Sequence, residues 1–285
     1  MNIDPRTVGA QVRMKMPLMT PLEARVIDTI TGRSQLDLTT SIREVADDAG
    51  VSDAMIVKIA KKLGFNGFRE FRAALVSYRQ SDVAAMHAEI SPEDSSADIV
   101  KKVFNTAMQA LEETMSIIDM DAFDRAADLL HGARNREFYG LGGSAQIARD
   151  VSHKFLRIGL RSSVYDDTHM MIMSASLLGP EDVVVAISHS GATTAVIEAA
   201  ALARQNGAGV IALTNYAGSP VAQMADVTLC STAQGSPLLG ENAAARIAQL
   251  CIMDSVFVGV AQRDFAQAET QLSMTMASVV AKRKK

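Results

Sequence analysis

Cysteine is scarce: Cys230 and Cys251 are the only two in 285 residues, too few for a disulfide framework. They are expected as small buried apolar residues in a reducing cytoplasm. Long apolar runs are missing too. The longest, Met170 to Leu178, is about half the roughly 18 residues that a membrane span needs, so no membrane partner is expected. The first residues place Asp4, Pro5 and Arg6 where a secretory leader has its apolar core, and the expected location is the cytoplasm. The chain carries no internal repeat.

What is present is an ordinary globular balance, 48% hydrophobic and 21% charged, with length enough for two domains and a core in each. The net charge of −4 is unevenly spread. Residues 1–79 carry 12 Lys/Arg against 9 Asp/Glu, a net of +3, which leaves −7 for the rest. A mildly basic head on an acidic body fits a nucleic-acid contact confined to the head.

Helix signals open at Thr20-Pro21-Leu22-Glu23, a capping box with proline at the first helical position. Ser41 and Glu44 form a second box, for a helix to about Ala49. Gly50 breaks that helix, and Ser52 or Asp53 caps a third to about Leu63. Phe68, Phe71, Leu75 and Tyr78 line a fourth. A helix-turn-helix needs a small residue where its helices cross, a turn residue that tolerates positive φ, and apolar residues facing inward on the second helix. Ala46, Gly50, Ile56 and Ile59 meet that spacing. With the isoleucines inward, Ser52, Asp53, Ala54, Val57, Lys58 and Lys61 become the candidate groove-facing surface. Lys58 suits guanine acceptors, and Ala54 or Val57 a thymine methyl. Lys61, Lys62, Arg69 and Arg72 suit phosphates, which set affinity and salt dependence. A merely solvated role is the competing reading for each lysine.

Residues 81–97 lose periodicity and read as a linker between the 1–80 domain and connecting helices over 98–134. Short apolar runs then alternate with helix-length segments: Glu137–Leu141, Ser162–Tyr165, Val183–Ile187, Val210–Thr214 and Val227–Cys230. The expectation is a second, α/β domain over 135–262, with a five-stranded parallel sheet covered on both faces in three αβα layers. The segment 263–285 adds a last amphipathic helix and the basic tail Lys282 to Lys285, either a solvated end or a phosphate contact.

Two loops at carboxyl ends of strands carry the chemistry. Gly140-Leu141-Gly142-Gly143-Ser144-Ala145 offers backbone N–H groups at a helix N-terminus, an anion site. Ser188-His189-Ser190-Gly191-Ala192-Thr193 sets three hydroxyls and a glycine ahead of another helix, a cradle for a single phosphate. A dinucleotide fingerprint (Gly140, Gly142, Ala145, with Asp166 or Asp167) competes for the first loop, but the hydroxyl-rich second loop has no part in it.

Both loops, with His153 to Gly159 between them, resemble the SIS (sugar isomerase) domain. The capped helix-turn-helix with Lys61-Lys62-Leu63-Gly64-Phe65 and Gly67-Phe68-Arg69 resembles the head of the RpiR family of bacterial regulators. Val57-Lys58, Met173 to Leu178 and Pro237-Leu238-Leu239-Gly240 bring it nearest the branch that includes the ribose/allose regulator. The resemblance implies a homodimer or homotetramer, a palindromic double-stranded operator, and a phosphorylated sugar as effector. It implies a repressor of a carbohydrate-metabolism operon, with no enzyme activity and neither cofactor nor metal. It assigns the phosphate to the side chains of Ser144, Ser188, Ser190 and Thr193 and to the backbone of Gly142, Gly143 and Gly191. His189 is counted with that loop, at a position where the family varies.

An isomerase is the alternative. Glu241 ahead of the long helix could serve as its base or as a sugar contact, with His153 or His169 assisting, or could simply be a helix-start carboxylate. In the regulator reading, the helices at 98–130 and 265–280 carry subunit contacts. Effector closure of the two loops would re-space recognition helices that must match half-sites about 34 Å apart.

Overall fold

The computed structural model describes residues 5–33, 35–80, 90–233 and 243–280. Linker residues 81–89, the run Pro237 to Gly240, Glu241 and the tail Lys282 to Lys285 lie outside the described residues. The head holds five helices: α1 (Pro5–Lys15), α2 (Pro21–Gly32), α3 (Ile42–Ala49), α4 (Asp53–Lys62) and α5 (Phe68–Arg79), with a 3-10 turn (Met16–Leu18) after α1.

Helix α1 has no counterpart in the sequence reading. Its intrinsic signal is poor, because Gly9 sits mid-helix. Tertiary packing supplies the stability instead. Val8 and Val12 join the head core, and Gly9 lies against the Tyr78 ring, where a Cβ would come within 2.5 Å of the phenol oxygen. The Thr20 box closes in both directions, Thr20 N–H to Glu23 Oε2 at 2.9 Å and Glu23 N–H to Thr20 Oγ1 at 3.3 Å. The Ser41 box does not. Ser41 Oγ accepts from Glu44 N–H at 3.1 Å and donates to Glu44 Oε1 at 3.0 Å, while Arg33 draws the carboxylate at 3.6 Å. Ser52, rather than Asp53, caps α4.

Gly50 ends α3 at φ 66°, ψ 39°, the left-handed region that glycine enters without penalty. Its turn lays α4 across α3. Ala46, Val45, Ile56, Ile59, Ala60 and Leu63 are then buried together.

Helix α6 (Ser96–Ile117) starts earlier than expected. Ser95 caps it and Asp98 closes the box, so the linker ends before residue 96. Helix α7 (Met120–Gly132) leads into the sheet: β1 (Arg136–Tyr139), α8 (Gly143–Arg157), β2 (Ser163–Tyr165), α9 (Thr168–Ala175), β3 (Val183–Ile187), α10 (Thr194–Gln205), β4 (Gly209–Thr214), α11 (Pro220–Met224) and β5 (Val227–Cys230). All pairings are parallel, in the order β2-β1-β3-β4-β5. The chain direction across the sheet reverses between β1 and β3, where open α/β sheets leave a crevice at their carboxyl edge.

Alternation along β3 places Val183, Val185 and Ile187 on one face and Val184 and Ala186 on the other. The first face is covered by α7, α8 and α12 (Ala243–Arg263), the second by α9, α10 and α11. The last helix is α13 (Phe265–Val280).

Two composition readings need correction. Helix α12 is long and apolar enough to cross a membrane, with a mean hydropathy of 1.5, although its apolar stretch is broken by polar residues in sequence. Its buried face, from Ala244 through Met253 to Val260, is part of the cores under the sheet and α6, which identifies it as a core helix. Cys251 is exposed on that helix, and only Cys230 is sheltered, where burial pushes its thiol up to about 12.

Candidate functional site

The first loop joins β1 to α8 in three residues. Gly140 admits the close approach of α8, since a Cβ there would stand 3.0 Å from the Ser144 backbone. Gly142 caps α8 at φ 56°, ψ −122°, and no side chain closes the helix end. Ser144 N–H bonds back to Leu141 O at 3.1 Å, which fixes the turn.

The second loop joins β3 to α10. Thr193 caps α10 without using its side chain on the helix. Its hydroxyl lies 2.9 Å from Ser188 Oγ instead. Ser190 Oγ accepts from Ala192 N–H at 3.2 Å and stays exposed. Ser188 is buried at the base of the loop. Gly191 (φ 63°) is pressed against Ser219, whose Oγ would stand 2.1 Å from an added Cβ. By contrast α7 and α9 are capped by Asp119 and Asp167. The helix ends after β1 and β3 are left uncapped by side chains, as is that of the short α11, and the first two flank the switch point, where an anion gains from the helix dipoles. Gly142, Gly143 and Ser144 stand on one side of this crevice, and Ser188, His189, Ser190, Gly191 and Thr193 on the other.

The acidic pair of the dinucleotide reading is committed elsewhere: Asp167 Oδ1 accepts from Met170 N–H at 3.0 Å to cap α9, and Asp166 pairs with Arg149. His153 and His169 are both exposed, on α8 and α9.

On the head, Ser52, Asp53, Ala54, Lys58 and Lys61 are exposed along one side of α4, with Val57 half-buried between them. Arg69 is exposed on α5. Two cations assigned to phosphates have internal partners. Lys62 Nζ donates to Glu23 Oε2 at 2.7 Å, and Lys58 stands 3.7 Å from the same carboxylate. Hydrogen bonds from Lys62 and from the Thr20 backbone hold the buried Glu23 carboxyl at about 2. Arg72 donates to Thr40 O at 2.5 Å, and its guanidinium lies 5.8 Å from the Phe68 ring centroid. Lys62 therefore ties the end of α4 to the start of α2, and Arg72 ties α5 to the residues just before α3.

Three features escaped the sequence reading. The Arg246 side chain from α12 lies over Gly143, 3.2 Å from where a Cβ would be. The loop after β4, Asn215 to Ser219, backs the second loop; Asn215 N–H donates to His189 O at 3.0 Å. Arg13 of α1 reaches Thr232 just past β5. Arg246 and Arg13 are separated in sequence from their partners by about a hundred residues or more, so spacing carries no signal. The 215–219 segment had one, a polar strand end followed by Gly-Ser-Pro.

Comparison with known proteins agrees with this architecture. The rpiR-family helix-turn-helix domain matches residues 7–82 and the SIS domain matches 129–259. The HTH-type transcriptional regulator RpiR of Escherichia coli K12 is 44% identical over 268 residues, 94% of this chain and 90% of that protein. An HTH-type transcriptional regulator of Thermotoga maritima is 31% identical over 89% of this chain and 91% of its own. Among solved structures, the Vibrio vulnificus NanR protein complexed with ManNAc-6P superposes with a TM-score of 0.63 at 25% identity, covering 97% of this chain and all of that one. A Listeria monocytogenes protein described as a putative sugar-phosphate isomerase shares only the fold, at 17% identity and a TM-score of 0.58 over 64% of this chain and 98% of that one. The whole-length likeness is thus to regulators, and the isomerase reading gives way. With a helix-turn-helix head joined to a SIS body, and 44% identity along nearly its entire length, the chain belongs to the RpiR family of transcriptional regulators.

Proposed function

We propose that this regulator represses a carbohydrate-metabolism operon and is controlled by a phosphorylated sugar held between its two SIS loops. The observation that carries the reading is the pair of uncapped helix ends facing the switch-point crevice, lined by Ser144, Ser188, Ser190 and Thr193. A phosphate there gains backbone donors from Gly142 and Gly143 and hydroxyl donors from the serines; Gly191 N–H, assigned to the phosphate by the resemblance, is instead given to Ser188 O at 3.1 Å, so Gly191 shapes the turn. That NanR was solved with a phosphosugar supports the class of ligand. His189 contributes its backbone and its ring edge, 6.0 Å from Tyr216, to the shape of the cradle. Glu241 is retained as a sugar contact.

In this reading residues 1–80 are the DNA-binding domain, 81–95 the linker, 96–134 connecting helices, 135–262 the sensor and 263–285 a terminal helix with its tail. The double-stranded operator meets Ser52, Asp53, Ala54, Val57 and Lys58 at base edges, and Lys61, Lys62, Arg69 and Arg72 at phosphates. Two copies pair through α6 and α13, which expose Val100, Phe104, Met115, Phe265 and Met276. The setting is the cytoplasm.

The test is a thermal-shift screen of pentose and hexose phosphates. A ligand that binds only the native state stabilises by about 2.7 kcal/mol at a hundredfold excess over Kd. At least one phosphosugar should raise Tm, and Ser188→Ala/Ser190→Ala should abolish the rise while the ligand-free variant still unfolds cooperatively, at a Tm lowered by no more than the lost Ser188–Thr193 hydrogen bond. A shift that survives the double substitution would place the phosphate elsewhere.

A further inference from the structure

The two candidate sites are joined by a buried polar junction. Residues 215–219, after β4, rest on the second SIS loop. Asn215 N–H and Thr214 Oγ1 both donate to His189 O, at 3.0 and 3.2 Å, and Val221 N–H donates to Gly191 O at 3.0 Å. The Tyr216 ring meets the His189 ring edge-on, and Ser219 fills the space over Gly191. The His189–Gly191 backbone is thus tied to this segment by three hydrogen bonds.

The opposite side of the same segment is covered by the head. Leu18, in the 3-10 turn, packs on Gly218 so closely that a Cβ there would come within 2.5 Å of its methyl carbons. Arg13 of α1 lies at the edge of the same junction. Its Nε lies 3.4 Å from Thr232 Oγ1, and its guanidinium pairs with Glu113 of α6. Ser231, the neighbour of Thr232, donates to Asn215 Oδ1 at 2.7 Å. Thr232 N–H donates to Thr114 Oγ1 at 3.0 Å. Glu113 accepts from Tyr78 OH of α5 at 2.9 Å and from Gln109 Nε2 at 3.0 Å.

Asn215, Ser231, Thr232, Thr114, Glu113 and Gln109 are each 3% exposed or less. Buried hydrogen bonds and charge pairs are costly to leave half-made, so a junction of this kind favours discrete arrangements over gradual drift. Room for a second arrangement exists beside it. A cavity of about 270 Å³, lined by Met14, Ile117, Phe123, Ala217, Cys230 and Ile252, lies between α1 and the body.

We propose that segment 215–219 carries effector occupancy from the Ser188–Thr193 loop to the helix-turn-helix head, and that Arg13 is the head residue that reads it, through Thr232 and Glu113. The inference rests on the reading of that loop as a phosphosugar cradle. A phosphate drawn onto the loop shifts the His189 carbonyl; Asn215 and Ser231 follow, and Thr232 hands the change to Arg13. Helix α1 packs on α5, so the recognition helix is re-aimed without touching the ligand.

The experiment uses the full chain, a duplex selected by it from a random pool, and a panel of pentose and hexose phosphates including ribose 5-phosphate and allose 6-phosphate. Duplex Kd is measured with and without each sugar phosphate, and sugar-phosphate Kd without DNA. Wild type should show a ratio of about 5-fold or more for at least one of them. Arg13→Gln should bring that ratio to within twofold of one, and Tyr78→Phe and Leu18→Ala should lower it at least threefold, with sugar-phosphate Kd unchanged within threefold. The two milder variants carry the test if Arg13→Gln does not fold. An unchanged ratio in folded variants overturns this inference alone. Loss of sugar-phosphate binding in the same variants also overturns it, because the residues would then belong to the cradle. A wild type that responds to no phosphosugar refutes the proposed function, and the inference with it.

Discussion

Replacing Gly191 by alanine puts the second SIS loop under a defined load. The residue sits at φ 63°, where an L side chain costs about 1–2 kcal/mol. The added Cβ would lie 2.1 Å from Ser219 Oγ, 2.3 Å from Ser219 Cβ and 2.8 Å from Thr214 Oγ1. Ser219 is buried and its backbone is tied to Tyr216 O at 3.0 Å, so it has little freedom to retreat. Overpacking of a tight site adds about 1–3 kcal/mol. The expected loss is therefore about 2–5 kcal/mol, a large part of the roughly 5–15 kcal/mol of a typical fold. Urea unfolding of the SIS body gives the magnitude, and phosphosugar binding in the same variant should fall with it. The compensating change Ser219→Gly should restore most of the steric share in Gly191→Ala and leave the conformational share. The reasoning fails if Gly191→Ala costs under about 1 kcal/mol, or if Ser219→Gly restores nothing.

The cations of the head should separate by role. Lys61→Ala and Arg69→Ala should each flatten the log–log salt dependence of operator binding by about 0.9 and leave unfolding unchanged. Lys62→Ala should also lower head stability by about 1–3 kcal/mol in urea unfolding, because it leaves the buried Glu23 carboxylate short of its main donor. Glu23 sets an acid limit. Its carboxyl is held at about 2 in the fold against 4.5 unperturbed, so its contribution is complete above about pH 4.5 and is lost as pH falls towards 2. Glu23→Gln should remove that part of the pH dependence in circular-dichroism melts. Under the proposed pairing through α6, wild type should sediment as an oligomer and Phe104→Glu, on the exposed face of α6, as a monomer.

Local chemistry was readable where it is self-contained. Ala46, Gly50, Ile56 and Ile59 fixed the crossing of α3 on α4, because turn conformation and inward packing are decided within about fourteen residues. The unbroken apolar run Val183 to Ile187 announced a strand buried on both faces, and the glycines of the two loops announced tight strand-to-helix turns. What failed to show depends on distant partners. Helix α1 owes its stability to Tyr78 and the head core rather than to its own residues. Ser41 and Glu44 had the spacing of a capping box, yet Arg33 competes for the carboxylate. Lys62 and Arg72 looked like free surface cations until the fold brought Glu23 and Thr40 to them. Cys251 was expected inside, but it falls on the outer side of α12, a position set by which face of a nearly all-apolar helix meets the sheet.

The central claim is that a sugar phosphate between the SIS loops alters the grip of the head on DNA. The most direct measurement is fluorescence anisotropy of a labelled operator duplex, titrated with the full chain at fixed salt, with and without the phosphosugar that gives the largest thermal shift. The account predicts a change of about 5-fold or more in operator Kd for wild type. It predicts no change for Ser188→Ala/Ser190→Ala, with the sugar-free Kd of that variant equal to wild type. Equal operator Kd with and without every phosphosugar that binds the wild-type chain would contradict it.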